Sequence, residues 1–599
     1  MKKLFKHKIL TGTALILLFG GILYGCDDFL NAPPQGSLDA NTLANANGVD
    51  GALIAAYRAL DWNTGVAANL GGTSASNWVF GSITSDDAYK GTEATDGAEL
   101  TNLELYNWST GNALGAIEGR WRAMYEGVNR ANAAISLLNS VRESSPGEIT
   151  DTAADAIRGE ALFLRAHYHF ELWQMFGNIA YYTEDDDDFK KANQPASEIA
   201  GLIIADLNEA ITLLDDTPRN GQVGRATSWT AKSYKGKVQI WNGDYPGART
   251  TLEDVVNNGP YELEENYHHV WTGLSEYYNG PETIFAYQAS SNDGEPNGNN
   301  ANYGERLNFP HSGSPFGCCG FHQGSQNLVN FFKVDGSGLP LAVSTPSQVF
   351  DATAAWNAQD GEFDSSFNDP VDPRIDWTVG RDGVPFKDWG EHASSWIRQE
   401  SFGGPYSPKK NIHEQSSDAQ SNVGWVNTQL NSVKIHILRY ADVMLMLAEA
   451  YVETGDPDLA RPLVNEIRER AGVAAQGPGI DVASIAVPID DPSITWADYE
   501  IGLYPAGSFL IDVEYARAAV RAERRLELGM EGTRFFDLKR WGIMPEVLNT
   551  YVSVEQNRRS YLQAAATLAD RYYLYPIPPT QIELSQVDGE DRLIQNDGW

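Results

Sequence analysis

Cysteine is almost absent from this chain, three residues in 599, which excludes a fold built on a disulfide framework. Basic residues are scarce beside acidic ones, 44 Lys and Arg to 80 Asp and Glu, and no basic block of useful length offsets the deficit. Such a surface offers nothing to a phosphate backbone or an anionic head group, so no nucleic-acid partner and no electrostatic adsorption to lipid are expected. A net charge of −36 is otherwise accounted for by solubility in a salty medium. Beyond residue 25 no stretch approaches 18 uncharged apolar residues, the length a spanning helix needs. Neither GxSxG nor HExxH occurs. What remains, 42% hydrophobic and 21% charged residues, is the composition of a chain that buries a substantial core.

The amino terminus carries Lys2, Lys3, Lys6 and Lys8 and then an uncharged run from Ile9 to Tyr24, the pattern of a secretory signal. It closes on Leu23-Tyr24-Gly25-Cys26, which resembles the bacterial lipobox, where the cysteine is acylated after cleavage in front of it. Residues 1–25 are therefore expected to be removed and Cys26 to carry lipid. Asn31-Ala32-Pro33-Pro34-Gln35-Gly36 follows, and residues 26–40 read as an extended, lipid-anchored leash.

Residues 41–599 form the body. Trp121, Tyr125, Val128, Ala131, Ile135 and Leu138 recur at steps of three and four, predicting a helix over 116–138 that is buried on one side. Residues 156–176 and 199–214 repeat the theme. The run Thr183-Glu184-Asp185-Asp186-Asp187-Asp188 between them lacks the glycine alternation of a calcium loop and reads as a solvated turn. Two later segments share a finer pattern: Gly236, Gly243-Asp244, Ala248 and Leu252 in the first, Ala448, Tyr451, Gly455-Asp456, Ala460 and Val464 in the second. These spacings match the tetratricopeptide helix pair, whose small residues let two helices pack closely. Between the pairs, residues 260–432 are rich in Gly, Asn and separated aromatics and read as loops with short strands. The frame is thus assigned to 41–259 and 433–599, and 260–432 to a loop-rich ligand-binding region.

Near the carboxyl end a helix over 514–531 sorts into a buried face of Ala519, Ala522, Leu526 and Met530, a stripe of Arg517, Arg521, Arg524 and Arg525, and a stripe of Glu523, Glu527 and Glu531. Pairing Glu527 with Glu531 as acid and base is disfavoured, because neighbouring arginines hold both ionised; an ion-pair network fits better.

The same stretch, Glu523-Arg524-Arg525-Leu526-Glu527-Leu528 followed by Glu531-Gly532-Thr533-Arg534-Phe535-Phe536-Asp537-Leu538-Lys539-Arg540-Trp541-Gly542, closely resembles the C-terminal signature of the SusD/RagB family. Tyr575-Pro576-Ile577-Pro578 and the terminal Trp599, Arg158-Gly159-Glu160-Ala161, Arg439-Tyr440-Ala441-Asp442 and Asn465 to Gly472 add matches along most of the chain. The resemblance implies a mainly α fold, a tetratricopeptide-like frame of four helix pairs capped by an irregular ligand-binding insertion. It also implies a non-catalytic, outward-facing outer-membrane lipoprotein; no cofactor is expected. Such a protein captures oligosaccharides, or peptides in some members, for a SusC-like TonB-dependent transporter. A secreted glycoside hydrolase and a protein-binding adaptor are the rival readings.

A sugar ring has apolar faces and polar rims, so its site needs aromatic platforms beside carboxylates, amides or guanidinium groups. Two clusters qualify. Trp78 precedes Asp86, Asp87 and Tyr89 in a segment that resembles an early ligand-contacting loop of the family; Tyr303, Arg306, Phe316, Phe321 and His322 lie in Gly-rich sequence that no helical core claims. Cys318-Cys319 falls inside the second cluster, either as a bridge between neighbours or as two buried thiols. Metal binding is disfavoured, since His311 and His322 are the only imidazoles nearby; His167 and His169, two apart on a helix, point in opposed directions.

Overall fold

The computed structural model describes residues 43–61, 73–109, 111–311, 313–343, 364–424 and 426–599. The signal segment, the leash and Cys26 lie outside the described residues.

Nine helices make the frame: Ala46–Arg58 (α1), Gly111–Ser144 (α2), Asp151–Phe176 (α3), Ala196–Leu213 (α4), Ser228–Trp241 (α5), Tyr245–Asn258 (α6), Tyr440–Glu453 (α7), Pro457–Ala471 (α8) and Val513–Leu528 (α9). Each packs against the next from α1 to α9. Polar caps fix several starts: Asn45, Thr150, Thr227 and Asp244 each accept a backbone N–H from the first turn of the helix that follows. The stripe of α2 is buried apart from the half-buried Tyr125, and the helix outruns the expected 116–138 at both ends. Helix α3 departs from expectation. It is enclosed on every side from Gly159 to Phe176, so it is the frame's central rod rather than a one-sided helix.

The two tetratricopeptide-like pairs are α5–α6 and α7–α8, with Gly243 and Gly455 at φ of 70° and 93° in their turns. Gly236 shows why a small residue is needed, since a Cβ added there would lie 2.1 Å from Leu252 Cδ2. Helix α6 packs on α7 although the whole loop-rich segment separates them in sequence.

That segment contributes short strands. Thr283–Tyr287 (β2) pairs antiparallel with Ile435–Arg439 (β4), which runs directly into α7. Phe321–Gly324 (β3) pairs antiparallel with Ala88–Gly91 (β1), Gly91 opposite Phe321 and Ala88 opposite Gly324. Through this ladder the segment around β1, placed by sequence in the frame, belongs structurally with the loop-rich region.

Buried ion pairs lock that region to the frame. Glu527 on α9 meets Arg439 at 2.7 Å and Arg374 at 2.9 Å and also pairs with Arg470; Glu523 meets Arg374 at 2.7 Å and Arg468 at 2.9 Å. Glu282 of the loop-rich segment bridges Arg439 and Arg470 at 2.6 and 2.7 Å. Burial alone would raise the Glu527 carboxyl, but Arg470, Arg439 and Arg374 outweigh it and hold the group well below the usual carboxylate range. The expected network exists with different partners. Arginines of α9 itself turn elsewhere: Arg524 to Asp442 and Asp537, Arg525 to Asp86 and Asp87.

Beyond α9, Arg534–Arg540 (α10), Met544–Glu555 (α11) and Pro579–Leu584 (α12) close the chain over the frame. Trp599 Nε1 donates to the Leu574 carbonyl at 2.9 Å, and Trp108 is sandwiched between Tyr575 and Trp599, at 3.9 and 6.0 Å between ring centroids. Gly532 and Gly81 meet backbone to backbone; a Cβ on Gly81 would lie 1.7 Å from the Gly532 carbonyl oxygen.

Candidate functional site

The two sequence clusters, more than 200 residues apart, converge on one place. The β1–β3 ladder joins them, and Trp78 Nε1 donates to the Gly304 carbonyl at 3.2 Å. The Trp78 ring stands 5.4 Å from His322 and 6.4 Å from Phe321. Glu305 lies in the same layer. Its carboxylate accepts from Ser74, Ser76 and Asn308, and burial, partly offset by the two serine hydroxyls, raises it to about 7.

Most of these side chains are walls and not platforms, which corrects the expected roles. Trp78, Phe316, Phe321 and His322 are buried. Burial pushes the His322 imidazole down to about 3, so it is neutral, packed at a tilt against Trp78. Asp86 is wholly enclosed and pairs with Arg534 at 2.8 Å and Arg525 at 3.2 Å; Asp87 pairs with Arg525 at 3.0 Å. Burial raises the Asp86 carboxyl, but the two guanidinium groups outweigh it and hold it low. Tyr89 donates to Glu555 at 2.5 Å under Arg559. Direct ligand contact is closed to all of these by burial; their work is to fasten the early loop to α9, α10 and α11. Phe316 sits apart, in a small cluster with Phe309, Phe386, Trp396 and Ile412.

Tyr303 differs, whereas Arg306 is buried like the rest. Tyr303 is half-buried, with the Arg306 guanidinium 4.5 Å from its ring centroid. Arg306 Nη1 donates to the Tyr303 carbonyl at 2.9 Å, holding the pair as one unit. Nearby in the chain, Cys318 and Cys319 are joined to each other; Cys319 is buried, Cys318 is half-exposed, and the Gln429 amide donates to the Cys318 carbonyl.

Sequence reasoning missed other residues of the loop-rich region. Trp389 is half-buried, 4.7 Å from Phe316, with Nε1 donating to the His413 carbonyl at 2.8 Å. It lies in Lys387-Asp388-Trp389-Gly390, outside any helical stripe, and the criterion that selected Phe316 would have found it. Arg398 bridges Glu93 at 2.9 Å and Asp96 at 2.5 Å, in a loop that Lys90 pins through the Glu93 and Asp96 carbonyls. No sequence signal marks that contact, because its partners are 300 residues away.

Among the described residues no group of three or more His, Cys, Asp or Glu is placed to hold a metal ion, and no helix is long and apolar enough to cross a membrane. His167 bonds Tyr234 at 2.8 Å and His169 the Arg165 carbonyl at 3.0 Å, each absorbed by packing around α3.

A family model described as the SusD family matches residues 281–599. The chain belongs to the SusD family. A second model, described as starch-binding and associating with the outer membrane, matches residues 66–240 of this SusD-family protein. A SusD-like protein of Formosa agariphila is 23% identical over 576 residues, covering 92% of this chain and 95% of the relative. Among solved structures, surface glycan-binding protein A from Bacteroides fluxus superposes with a TM-score of 0.64 at 22% identity, over 93% of this chain and 100% of that one. A laminarin-binding SusD-like protein superposes with a TM-score of 0.59 at 22% identity and the same coverage. These likenesses fit the mainly α, tetratricopeptide-like architecture described above.

Proposed function

We propose that this SusD-family protein is a non-catalytic, glycan-binding lipoprotein of the outer membrane, anchored through Cys26, that hands oligosaccharides to a SusC-like TonB-dependent transporter. The observation that carries the reading is the convergence of two distant loop segments beneath the Tyr303–Arg306 pair. The half-buried Tyr303 ring, held in place by the buried Arg306, suits the apolar face of a sugar. The solved relatives named for binding surface glycans and laminarin support the ligand class.

The carboxylates of α9 and of the two loop clusters support the absence of catalysis there. A glycosidase needs two carboxyl groups facing the scissile bond from either side, one of them raised. Here Glu523, Glu527 and Asp86 are consumed by arginines, and the raised Glu305 is closed in by Ser74, Ser76 and Asn308 with 1% of its surface exposed.

The test is native affinity electrophoresis of residues 27–599 through laminarin, xyloglucan, arabinoxylan and galactomannan, with reducing ends assayed in the same lanes. Retardation by one or a few of them without new reducing ends is expected. Released sugar would overturn the non-catalytic reading, and retardation by none would overturn the ligand class.

A further inference from the structure

A cleft of about 590 Å³ lies on the helical frame, lined by none of the candidate loop-site residues, between α2, the segment around residues 180–191 and α12. Its size falls within the range of sites for small ligands. Tyr125 and Tyr182, both half-buried, line it with ring centroids 5.9 Å apart, and the buried Trp121 packs 4.9 Å from Tyr125. The two tyrosine hydroxyls are tied to backbone, Tyr125 donating to the Ala180 carbonyl at 3.0 Å and Tyr182 to the Phe189 carbonyl at 3.0 Å, so the rings are preorganised. Phe189 extends the aromatic row outward and is 81% exposed.

Along the same wall, Arg122, Asn129 and Ser136 stand seven residues apart on α2, which aligns them on one helical face over about 21 Å. None of the three has a hydrogen-bond or ion-pair partner among the described residues, whereas the other polar groups of the cleft are engaged. Asn132 serves Arg165 and the Tyr182 carbonyl, Glu184 serves Arg158 and Arg165, and Asp186 serves Lys191. What the cleft offers a ligand is therefore an aromatic row flanked by a free guanidinium, a free amide and a free hydroxyl.

We propose that this cleft is a second oligosaccharide-binding site, distinct from the loop-rich face. It borrows its ligand class from the function proposed above and goes beyond it in location. An extended peptide is the weaker fit, because no strand lies in the walls, which are α2, α12 and the irregular segment 180–191, so no strand edge is offered to pair with main chain. The neutralised Asp186 leaves little for a cation.

Asn129→Trp fills the cleft from an exposed helical position, and the double change Arg122→Ala with Asn129→Ala removes two donors without adding bulk. Neither touches a bonded group, so melting temperatures should match the unmodified protein. The experiment titrates residues 27–599 calorimetrically with the hexasaccharide of whichever of laminarin, xyloglucan, arabinoxylan or galactomannan retards the protein in gels. Two sites are expected. Either cleft change should weaken one of them at least tenfold, and Tyr303→Ala with Arg306→Ala should weaken the other. Cleft variants that titrate like the unmodified protein would overturn this proposal and leave the loop-face reading standing. Loss of all binding in Asn129→Trp, with none in the Tyr303 and Arg306 variant, would support the cleft and overturn the loop face. Retention by none of the four polysaccharides, or cleft-dependent binding of casein peptides alone, would overturn both.

Discussion

Arginine–carboxylate pairs hold two parts of this molecule, and the bonds are about equally short in both. At the joint between frame and loop-rich region, Arg439 meets Glu282 at 2.6 Å and Glu527 at 2.7 Å, with each of the three side chains no more than 1% exposed. At the loop-face rim, Arg398 meets Glu93 at 2.9 Å and Asp96 at 2.5 Å, with 30%, 36% and 39% of the respective side chains in solvent. Distance does not rank these contacts; environment does. In the buried set each charge has given up its water and depends on its partners, whereas in the exposed set water and salt can replace the partner at small cost.

The sharpest way to break the comparison is Glu527→Gln, which keeps the shape and leaves Arg439, Arg470 and Arg374 short of one counter-charge. A loss of about 3–5 kcal/mol in chemical denaturation is expected, the cost of an uncompensated buried ion. Acid should act on the same joint. The folded Glu527 carboxyl titrates below its ordinary value of 4.5, so its contribution is complete above that pH and is lost as pH falls below it. The fall in melting temperature below about pH 4.5 should therefore be shallower in Glu527→Gln than in the unmodified protein. An equally steep fall would mean that Glu527 is not held low.

Aromatic side chains divide along the same line. Trp78→Ala empties a fully buried site and should cost about 3–5 kcal/mol of stability, read by denaturant midpoint, whether or not ligand is present. Tyr303→Ala removes a half-exposed ring and should leave stability nearly unchanged while weakening glycan retention about five- to tenfold, corresponding to about 1 kcal/mol. If Trp78→Ala proved stable and defective only in binding, its burial would have been misjudged as structural.

These differences also separate what the sequence discloses from what it hides. The helices were legible because their information is local: the three-and-four stripe of Trp121 to Leu138, the Gly243 and Gly455 turns, and the small residue at Gly236 that sits against Leu252 all lie within one or two helices. Glu527 was legible as part of an ion-pair network, but its partners were not, since Arg374, Arg439 and Arg470 come from three separate segments and its own helix mates face elsewhere. The site clusters were assigned an exposure that most of their side chains do not have. An aromatic in Gly-rich sequence reveals that no helix buries it, but not that a second loop does, as residues around Gly304 do for Trp78. Tyr303 alone of the named site residues stays half-buried, with the buried Arg306 held against its ring.

The smallest expected effect is the one that tests the comparison most directly. Arg398→Ala removes both rim pairs at once, and its cost to stability should stay below about 1 kcal/mol, since each partner can return to water. What matters is how that cost responds to salt. Raising the ionic strength to about 1 M shortens the screening length to about 3 Å, the length of the pair itself, so the penalty for losing Arg398 should shrink toward zero. The Glu527→Gln penalty should hardly move over the same range, because mobile ions do not enter the enclosed joint. Melting curves of the two variants at low and high sodium chloride would separate the cases, whatever the absolute losses. A salt-insensitive Arg398→Ala would mean that the rim pairs are shielded from solvent in solution and belong with the joint. A salt-sensitive Glu527→Gln would mean that water reaches the joint, and that the loop-rich region opens from the frame more readily than its buried arginines imply.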